Sequence, residues 1–433
     1  MRLGGVLQAA AEILTSMAAS KRPISECLKD WGASHRFAGS KDRAFIGNIC
    51  YDVLRRQSSL TYRIGGNAPQ LLVYASLMAN SRSSADLDAE LAGDKFAPPP
   101  LPQAQREAWL NNNPADAPAH VRADIPEWCA ASFAQNFGDG WVAEGAALAE
   151  RPPLDLRVNK LKAGREKTAA KLKELRAKTE PLSPWSLRIA ATEGAARHPN
   201  VQAEPAFQKG WFEVQDCGSQ MAARLCLAKP QEQVLDYCAG GGGKTLALSA
   251  EMGNRGQIHA YDSEKVRLAP IFARLKRAGC RNVQVHGSAA ELEPLIGSMD
   301  CVLLDAPCSG TGTWRRHPDA KWKLTPERLA PRLEQQREVL AAGARYVRPG
   351  GRLVYVTCSL LHEEDDTQIA RFLAENTNFK LRNMREIWNA ALSDAAAEQA
   401  APPMPHFTPF GLLMSPRRTQ TDGFFVSVLE KIS

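Results

Sequence analysis

The sequence contains no Cys-x-x-Cys pair. Its ten cysteines stand at positions 27, 50, 129, 217, 226, 238, 280, 301, 308 and 358, so neither a zinc ribbon nor a thioredoxin-like motif is present, and no metal site is expected. Ten cysteines in 433 residues are too few for a disulfide scaffold, and a reducing, cytoplasmic location is the simplest expectation. No stretch is long and apolar enough to span a bilayer, so no membrane partner is expected. The N-terminal run superficially invites a signal-peptide reading. Gln8 and Glu12 interrupt it, and Val6, Ala10, Ile13 and Met17 recur at helical spacing, which predicts an amphipathic core helix instead. A large charge of one sign is also lacking: 54 Lys and Arg face 47 Asp and Glu, for a net charge of +7. So small a surplus does not establish nucleic-acid binding, and its local distribution matters more. No internal repeat is present.

A chain of this length suggests two or three domains. Residues 1 to about 80 read as helices, Arg43–Arg56 among them. Between Asn80 and Ala119 prolines and asparagines accumulate, which reads as a linker or as loosely structured helix-loop segments. Leu154–Asn159 reads as a short strand and Ala163–Ala177 as a basic helix. From Arg151 to Lys178 there are ten Lys and Arg against three acids, either a solvated helix face or a contact for an RNA backbone. From Val234 the pattern becomes strand, loop, helix, repeated. Strands are expected at Val234–Cys238, Gln257–Asp262, Val283–His286, Cys301–Asp305, Arg352–Thr357 and Phe424–Leu429. This alternation predicts an α/β, mostly parallel, doubly wound sheet with its ligand-binding loops at one edge.

Three loops carry chemistry. The first is Cys238-Ala239-Gly240-Gly241-Gly242-Gly243-Lys244-Thr245, where a strand runs into four glycines and then a helix. It fails as a P-loop because Cys238 stands where the leading glycine belongs, and the dinucleotide fingerprint does not fit either. A nucleotide-like ligand against bare backbone is the remaining reading, beside a plain tight turn. Asp262, ending the next strand, suits the ribose hydroxyls of an adenosine. The second loop is Asp305-Ala306-Pro307-Cys308-Ser309-Gly310-Thr311-Gly312, and the third is Thr357-Cys358-Ser359. Each follows an apolar strand, so both should emerge at the edge of the glycine loop. A lone cysteine is more often a buried small hydrophobe. Two at strand ends, one beside a carboxylate, point to a shared cleft. Trp314–Lys323 interleaves aromatic and basic residues, as base stacking and phosphate contact require, or as a structured surface loop would.

These loops resemble those of the RNA (cytosine-5) methyltransferases of the Fmu/Sun type, most closely the bacterial ribosomal RNA small-subunit methyltransferase B group. That family carries Cys-Ala-Ala-Pro-Gly-Gly-Lys-Thr, Asp-Ala-Pro-Cys-Ser-Gly-x-Gly and Thr-Cys-Ser loops. The likeness continues in Leu156–Asn159, Phe212–Asp216 and Asp422–Phe425, and it covers about residues 125 to 433. The N-terminal segment, with Asp42-Arg43-Ala44-Phe45, looks like a helical RNA-binding domain of the antitermination-factor type. Two departures stand out. Gly240 and Gly241 replace the family's Ala-Pro, and Ser288 stands where the family places an Asp to meet adenine.

The resemblance implies a Rossmann-like S-adenosylmethionine (SAM) methyltransferase sheet with a small α+β cap domain and an N-terminal helical domain. The expected boundaries are 1–120, 121–205 and 206–433. It implies SAM bound by residues 238–244, Asp262, Ser288 and Asp305. Cys358 is then the nucleophile that attacks C6 of a cytosine, Asp305 holds the pyrimidine edge, and Cys308 assists release of 5-methylcytidine. The competing assignment makes Cys308 the nucleophile. Lys244 has two readings, on the cofactor or on the substrate edge, and Arg417 and Arg418 are candidate phosphate contacts. The expected partner is RNA, ribosomal first and transfer RNA second, with a monomer as default. A non-catalytic RNA-binding assembly factor on the same fold is the rival reading, and an NAD- or ATP-using enzyme on a similar sheet is another.

Overall fold

The computed structural model describes residues 1–80, 82–392 and 402–432. The chain divides into two compact units. The first comprises Met1–Pro152, Ala191–His198 and Trp314–Leu324; the second comprises Pro153–Ala190, Pro199–Thr313 and the chain from Thr325 onwards.

The first unit is helical. Leu3–Ser20 is one helix, with Val6, Ala10 and Ile13 buried along one face as their spacing predicts. Ser40–Arg55 buries Ile46, Ile49, Val53 and Leu54 in the same core. The stretch from Asn80 to Ala119 is more ordered than a linker. It holds the helices Ser84–Leu91 and Gln103–Asn111, and Leu87, Leu91, Leu101 and Trp109 join that core. Ser83 caps the first of these by accepting from the Asp86 amide while Asp86 bonds back to the Ser83 amide, a reciprocal pairing that starts a helix inside a polar run.

Trp314–Leu324 belongs to this unit's interior, which corrects the reading of that stretch as an RNA contact. Trp314 is fully buried and stacks on Phe133 at 6.2 Å. Lys321 is fully buried, and its ammonium donates to the carbonyls of Arg55 and Asp124 at 2.7 and 2.6 Å. Trp322 donates its indole N–H to the Leu54 carbonyl at 2.7 Å. Lys321 and Trp322, which would grip phosphates and stack on bases, spend their N–H groups on backbone oxygens.

The second unit carries two sheets. In the smaller, β1 (Leu154–Val158), β2 (Lys178–Thr179), β3 (Ser186–Ile189) and β4 (Phe212–Val214) are all antiparallel, in the order β2-β3-β1-β4. The expected basic helix forms at Arg165–Lys171 and tightens into a single 3₁₀ turn at Lys173–Leu175. The larger sheet takes β5 (Gln233–Asp236), β6 (Gln257–Tyr261), β7 (Val283–His286), β8 (Met299–Asp305), β9 (Val347–Thr357), β10 (Phe379–Leu381), β11 (His406–Phe407), β12 (Leu412–Met414) and β13 (Phe424–Lys431). Its order is β11-β12-β13-β9-β8-β5-β6-β7, with β10 also on β13. Strands β5 to β9 are parallel, while β10 to β13 pair antiparallel, so the sheet is mixed to a greater extent than the sequence suggests. The chain order reverses between β5 and β8, and the loops leaving the C-terminal ends of these strands meet there, where open α/β sheets bind ligands. No helix among the described residues is long and apolar enough to cross a membrane.

Candidate active site

The glycine loop leaves β5 at Asp236 and enters the helix Gly243–Glu251. Gly240 and Gly242 have φ of +49° and +80°, a region that side chains other than glycine's rarely adopt. At Gly242 a Cβ would also lie 2.5 Å from Ile271. The loop is tied to the next strand end, where Asp262 Oδ2 accepts from the Gly240 amide at 2.9 Å and Oδ1 from the Glu264 amide at 2.8 Å. Asp262 opens onto a cavity of about 280 Å³ whose walls include Tyr237, Cys238, Arg267, Pro307 and Arg332. The chemistry of these walls fits an adenosyl group: a fixed carboxylate for ribose hydroxyls, tyrosine and proline faces for a purine, and bare glycine backbone alongside. Burial and the nearby Asp236 push the Cys238 thiol well above its ordinary pKa, so it stands in this wall as a neutral group.

Asp305 ends β8, and β9 runs parallel beside it. The loops that follow bring Cys308 Sγ and Cys358 Sγ to 3.3 Å. All ten cysteines are free thiols. Cys308 is pushed well above its ordinary pKa by its hydrogen bond to Cys358 and by burial, so it stays protonated. Lys244 donates to Asp305 Oδ2 at 2.6 Å. Burial works against its charge, but Asp305 outweighs burial and holds the lysine pKa above its ordinary value. Its ammonium also sits 5.4 Å from the centre of the Phe424 ring.

Backbone locks the two cysteine loops together. The Gly312 amide donates to the Cys358 carbonyl at 3.0 Å, and the Gly423 amide donates to the Gly312 carbonyl at 2.8 Å. Thr311 Oγ1 accepts from the Leu360 amide at 2.8 Å. Glu364 is fully buried beneath both loops. It accepts from the Ser309 amide at 2.7 Å, from Gln336 at 2.9 Å, and from the hydroxyls of Ser309 and Ser359. Burial raises its pKa.

The structure therefore brings Asp305, Cys308, Cys358 and Lys244 into one cluster, with Cys238 and Asp262 on the adjacent cavity. Ser288 does not join them. It follows β7, its hydroxyl donates to Glu291 at 3.1 Å, and it lies outside the cavity lining. Lys244 is likewise turned to Asp305 and not into the cavity. Two contributors escape a reading of the sequence. Glu364 is hidden in the acidic run Glu363–Asp366, whose only signal is its place after the Thr-Cys-Ser loop. Arg332, on the helix Pro326–Ala344, lines the cavity from a stretch that carries no motif.

The chain has relatives among known proteins. A family model described as 16S rRNA methyltransferase RsmB/F matches residues 224–430. Another, the ferredoxin-like domain of RsmF/B-like methyltransferases, matches residues 125–193. A probable ribosomal RNA small subunit methyltransferase B of Synechocystis is 34% identical over 313 residues, covering 71% of this chain and 67% of the relative. The ribosomal RNA small subunit methyltransferase B of Escherichia coli is 32% identical over 370 residues, covering 79% of this chain and 84% of the relative. A solved structure of a methyltransferase homolog protein from Pyrococcus horikoshii superposes with a TM-score of 0.57 at 25% identity, covering 72% of this chain and 97% of that one. The chain belongs to the 16S rRNA methyltransferase RsmB/F family, with S-adenosylmethionine as its methyl donor.

Proposed function

We propose that the chain methylates C5 of a cytosine in small-subunit ribosomal RNA through a covalent adduct on Cys358. The observation that carries this reading is the pair of sulfurs 3.3 Å apart beside the Asp305 carboxylate. C5 of cytosine is a poor nucleophile. When the Cys358 thiolate adds to C6, the C5=C6 electron pair is released to C5 as an enamine, splitting one hard step into two easier ones. S-adenosylmethionine supplies the methyl carbon as a sulfonium.

Asp305, with Oδ2 fixed on Lys244, offers its other oxygen to the exocyclic N4–H₂ of the base and orients the ring over Cys358. The product step needs a proton removed from C5 and the C6–S bond broken. Cys308, held as a thiol, passes its proton to the departing Cys358 sulfur and takes the C5 proton in exchange. One proton leaves carbon and both cysteines end as thiols, so the step balances. A protonated Cys308 favours Cys358 over Cys308 as the nucleophile. The base must be unstacked to reach this cluster.

RNA is held by the basic stretch of the small domain, in this reading. Lys162, Lys167, Lys171, Lys173 and Lys178 are exposed there, as phosphate contact requires. The helical residues 1–120 would bind RNA as well, in this reading. Methyl transfer to unmodified ribosomal and transfer RNA, with nucleosides identified by mass spectrometry, tests the function. The expected product is 5-methylcytidine in ribosomal RNA with the wild type and none with Cys358→Ala. A methylated nucleoside other than 5-methylcytidine, or full product from the variant, overturns it.

A further inference from the structure

Four consecutive glycines leave a loop with more backbone freedom than any other composition would. One side chain restrains this one at its middle. Arg274, on the helix Ile271–Ala278, donates Nη1 to the carbonyl of Gly241 at 2.6 Å. A Cβ at Gly241 would meet that same Nη1 at 3.2 Å, so the guanidinium lies directly on the loop. Its Nε and Nη2 donate to Oε2 of Glu213 at 3.3 and 3.1 Å. Glu213 lies on β4 of the small sheet and is only 4% exposed. Its other oxygen accepts from Arg277, which rests on the Phe207 ring at 4.2 Å. A continuous set of contacts thus runs from the small sheet through Glu213 and Arg274 to the glycine loop.

We propose that Arg274 is a positioning residue for the methyl donor, fixing the glycine loop in its binding form, and that Glu213 holds Arg274 in place. This rests on the reading of the cavity beside Asp262 as the donor's site. With the Gly241 carbonyl fixed, the loop presents the Gly240 amide and Asp262 in one arrangement. With it free, the glycines sample many, and ordering them on binding subtracts from affinity. The planar fork of arginine suits the task because it meets a carboxylate with two N–H groups and a carbonyl with a third; a lysine ammonium is a point charge and cannot hold that geometry.

The test is calorimetric titration of S-adenosylmethionine into the full-length protein, alongside steady-state kinetics on ribosomal RNA. Arg274→Gln should weaken donor binding about tenfold, the size of one hydrogen bond to a charged group. The KM for the donor should rise, while kcat at saturating donor and the KM for RNA stay put. A merely structural role would move the RNA term as well. Glu213→Gln should act in the same direction and less strongly. Asp262→Ala is the control and should abolish donor binding. Wild-type affinity in Arg274→Gln, with binding lost in Asp262→Ala, overturns the role of Arg274 and leaves the site reading standing. Wild-type affinity in Asp262→Ala overturns the site reading itself. Should Arg274→Gln fail to fold in a thermal melt, Arg274→Lys decides: weakened donor binding supports the role, and wild-type binding overturns it.

Discussion

Cys308 and Cys358 face each other sulfur to sulfur at 3.3 Å, on loops that leave the neighbouring parallel strands β8 and β9. In the proposed reaction, a thiol beside Cys358 has work only after methyl transfer, when the adduct must come apart. Cys308→Ala should therefore still form the Cys358–RNA bond and fail to release it. Turnover should fall about 10²–10⁴-fold, the range for loss of a general acid or base. A slow-migrating protein–RNA band on a denaturing gel is the expected result. A variant that forms no such band would make Cys308 the attacking group.

Lys244 touches Asp305 and does not line the cavity. Lys244→Met should leave donor affinity close to wild type. It should lower kcat by about 10- to 100-fold, because a hydrogen bond to a charged group is worth about 1.5–3 kcal/mol. Calorimetry with the donor and single-turnover kinetics separate the two effects. A large loss of donor affinity would return Lys244 to the cofactor.

Glu364 gathers donors from both cysteine loops. Glu364→Ala leaves several buried groups without partners and should cost about 3 kcal/mol or more in urea unfolding. Glu364→Gln keeps an acceptor for the Ser309 amide and should retain most of that stability. Its adduct formation should still be slowed, since Ser309 and Ser359, which directly follow the two cysteines, no longer share one carboxylate.

Asp236 gives a pH signature. Burial pushes its pKa to about 7, although Thr245 donates to it at 2.7 Å. The folded state therefore holds a proton that the unfolded chain has already lost above about pH 4. Raising the pH from about 4 to 7 should lower stability at this residue, by at most about 1.4 kcal/mol for each pH unit, with no further change above 7. Asp236→Asn should remove that slope in thermal melts across this window. An unchanged slope would show that the group does not titrate there.

Gly312 and Gly423 cross at van der Waals limits. A Cβ on Gly312 would lie 2.1 Å from the Gly423 carbonyl oxygen, and one on Gly423 would lie 2.6 Å from Gly312 Cα. Neither contact can be relieved by turning a side chain. Gly312→Ala should lose about 2 kcal/mol or more and shift the Cys358 loop that Gly312 supports. Denaturant unfolding with adduct assays checks both.

Most of the large sheet was legible because its strands are short apolar runs ended by glycine, proline or acid. The expected Val283–His286 coincides with β7, and Cys301–Asp305 falls within β8. The converging cysteine loops were legible for the same reason: strand ends in a parallel sheet share an edge. Long-range partners were not. Nothing near Lys244 in the chain shows that its ammonium meets Asp305, and nothing near Trp314 or Lys321 shows that Phe133, Arg55 and Asp124 enclose them. An interleaved aromatic and basic run has the same composition on a surface and in an interior. Nor does the position of Ser288 at the end of β7 show that Glu291 takes its hydroxyl.

The helical unit is stitched from three pieces of chain, the last of them Trp314–Leu324, which leaves the catalytic unit at Thr313 and returns to it at Thr325. Such a thread forbids a clean cut. A gene fragment begun at Pro153 would encode a tryptophan and a lysine whose enclosing walls are no longer made. In this chain, a fragment that keeps the catalytic strands and drops residues 1–152 therefore needs Trp314 and Lys321 replaced as well.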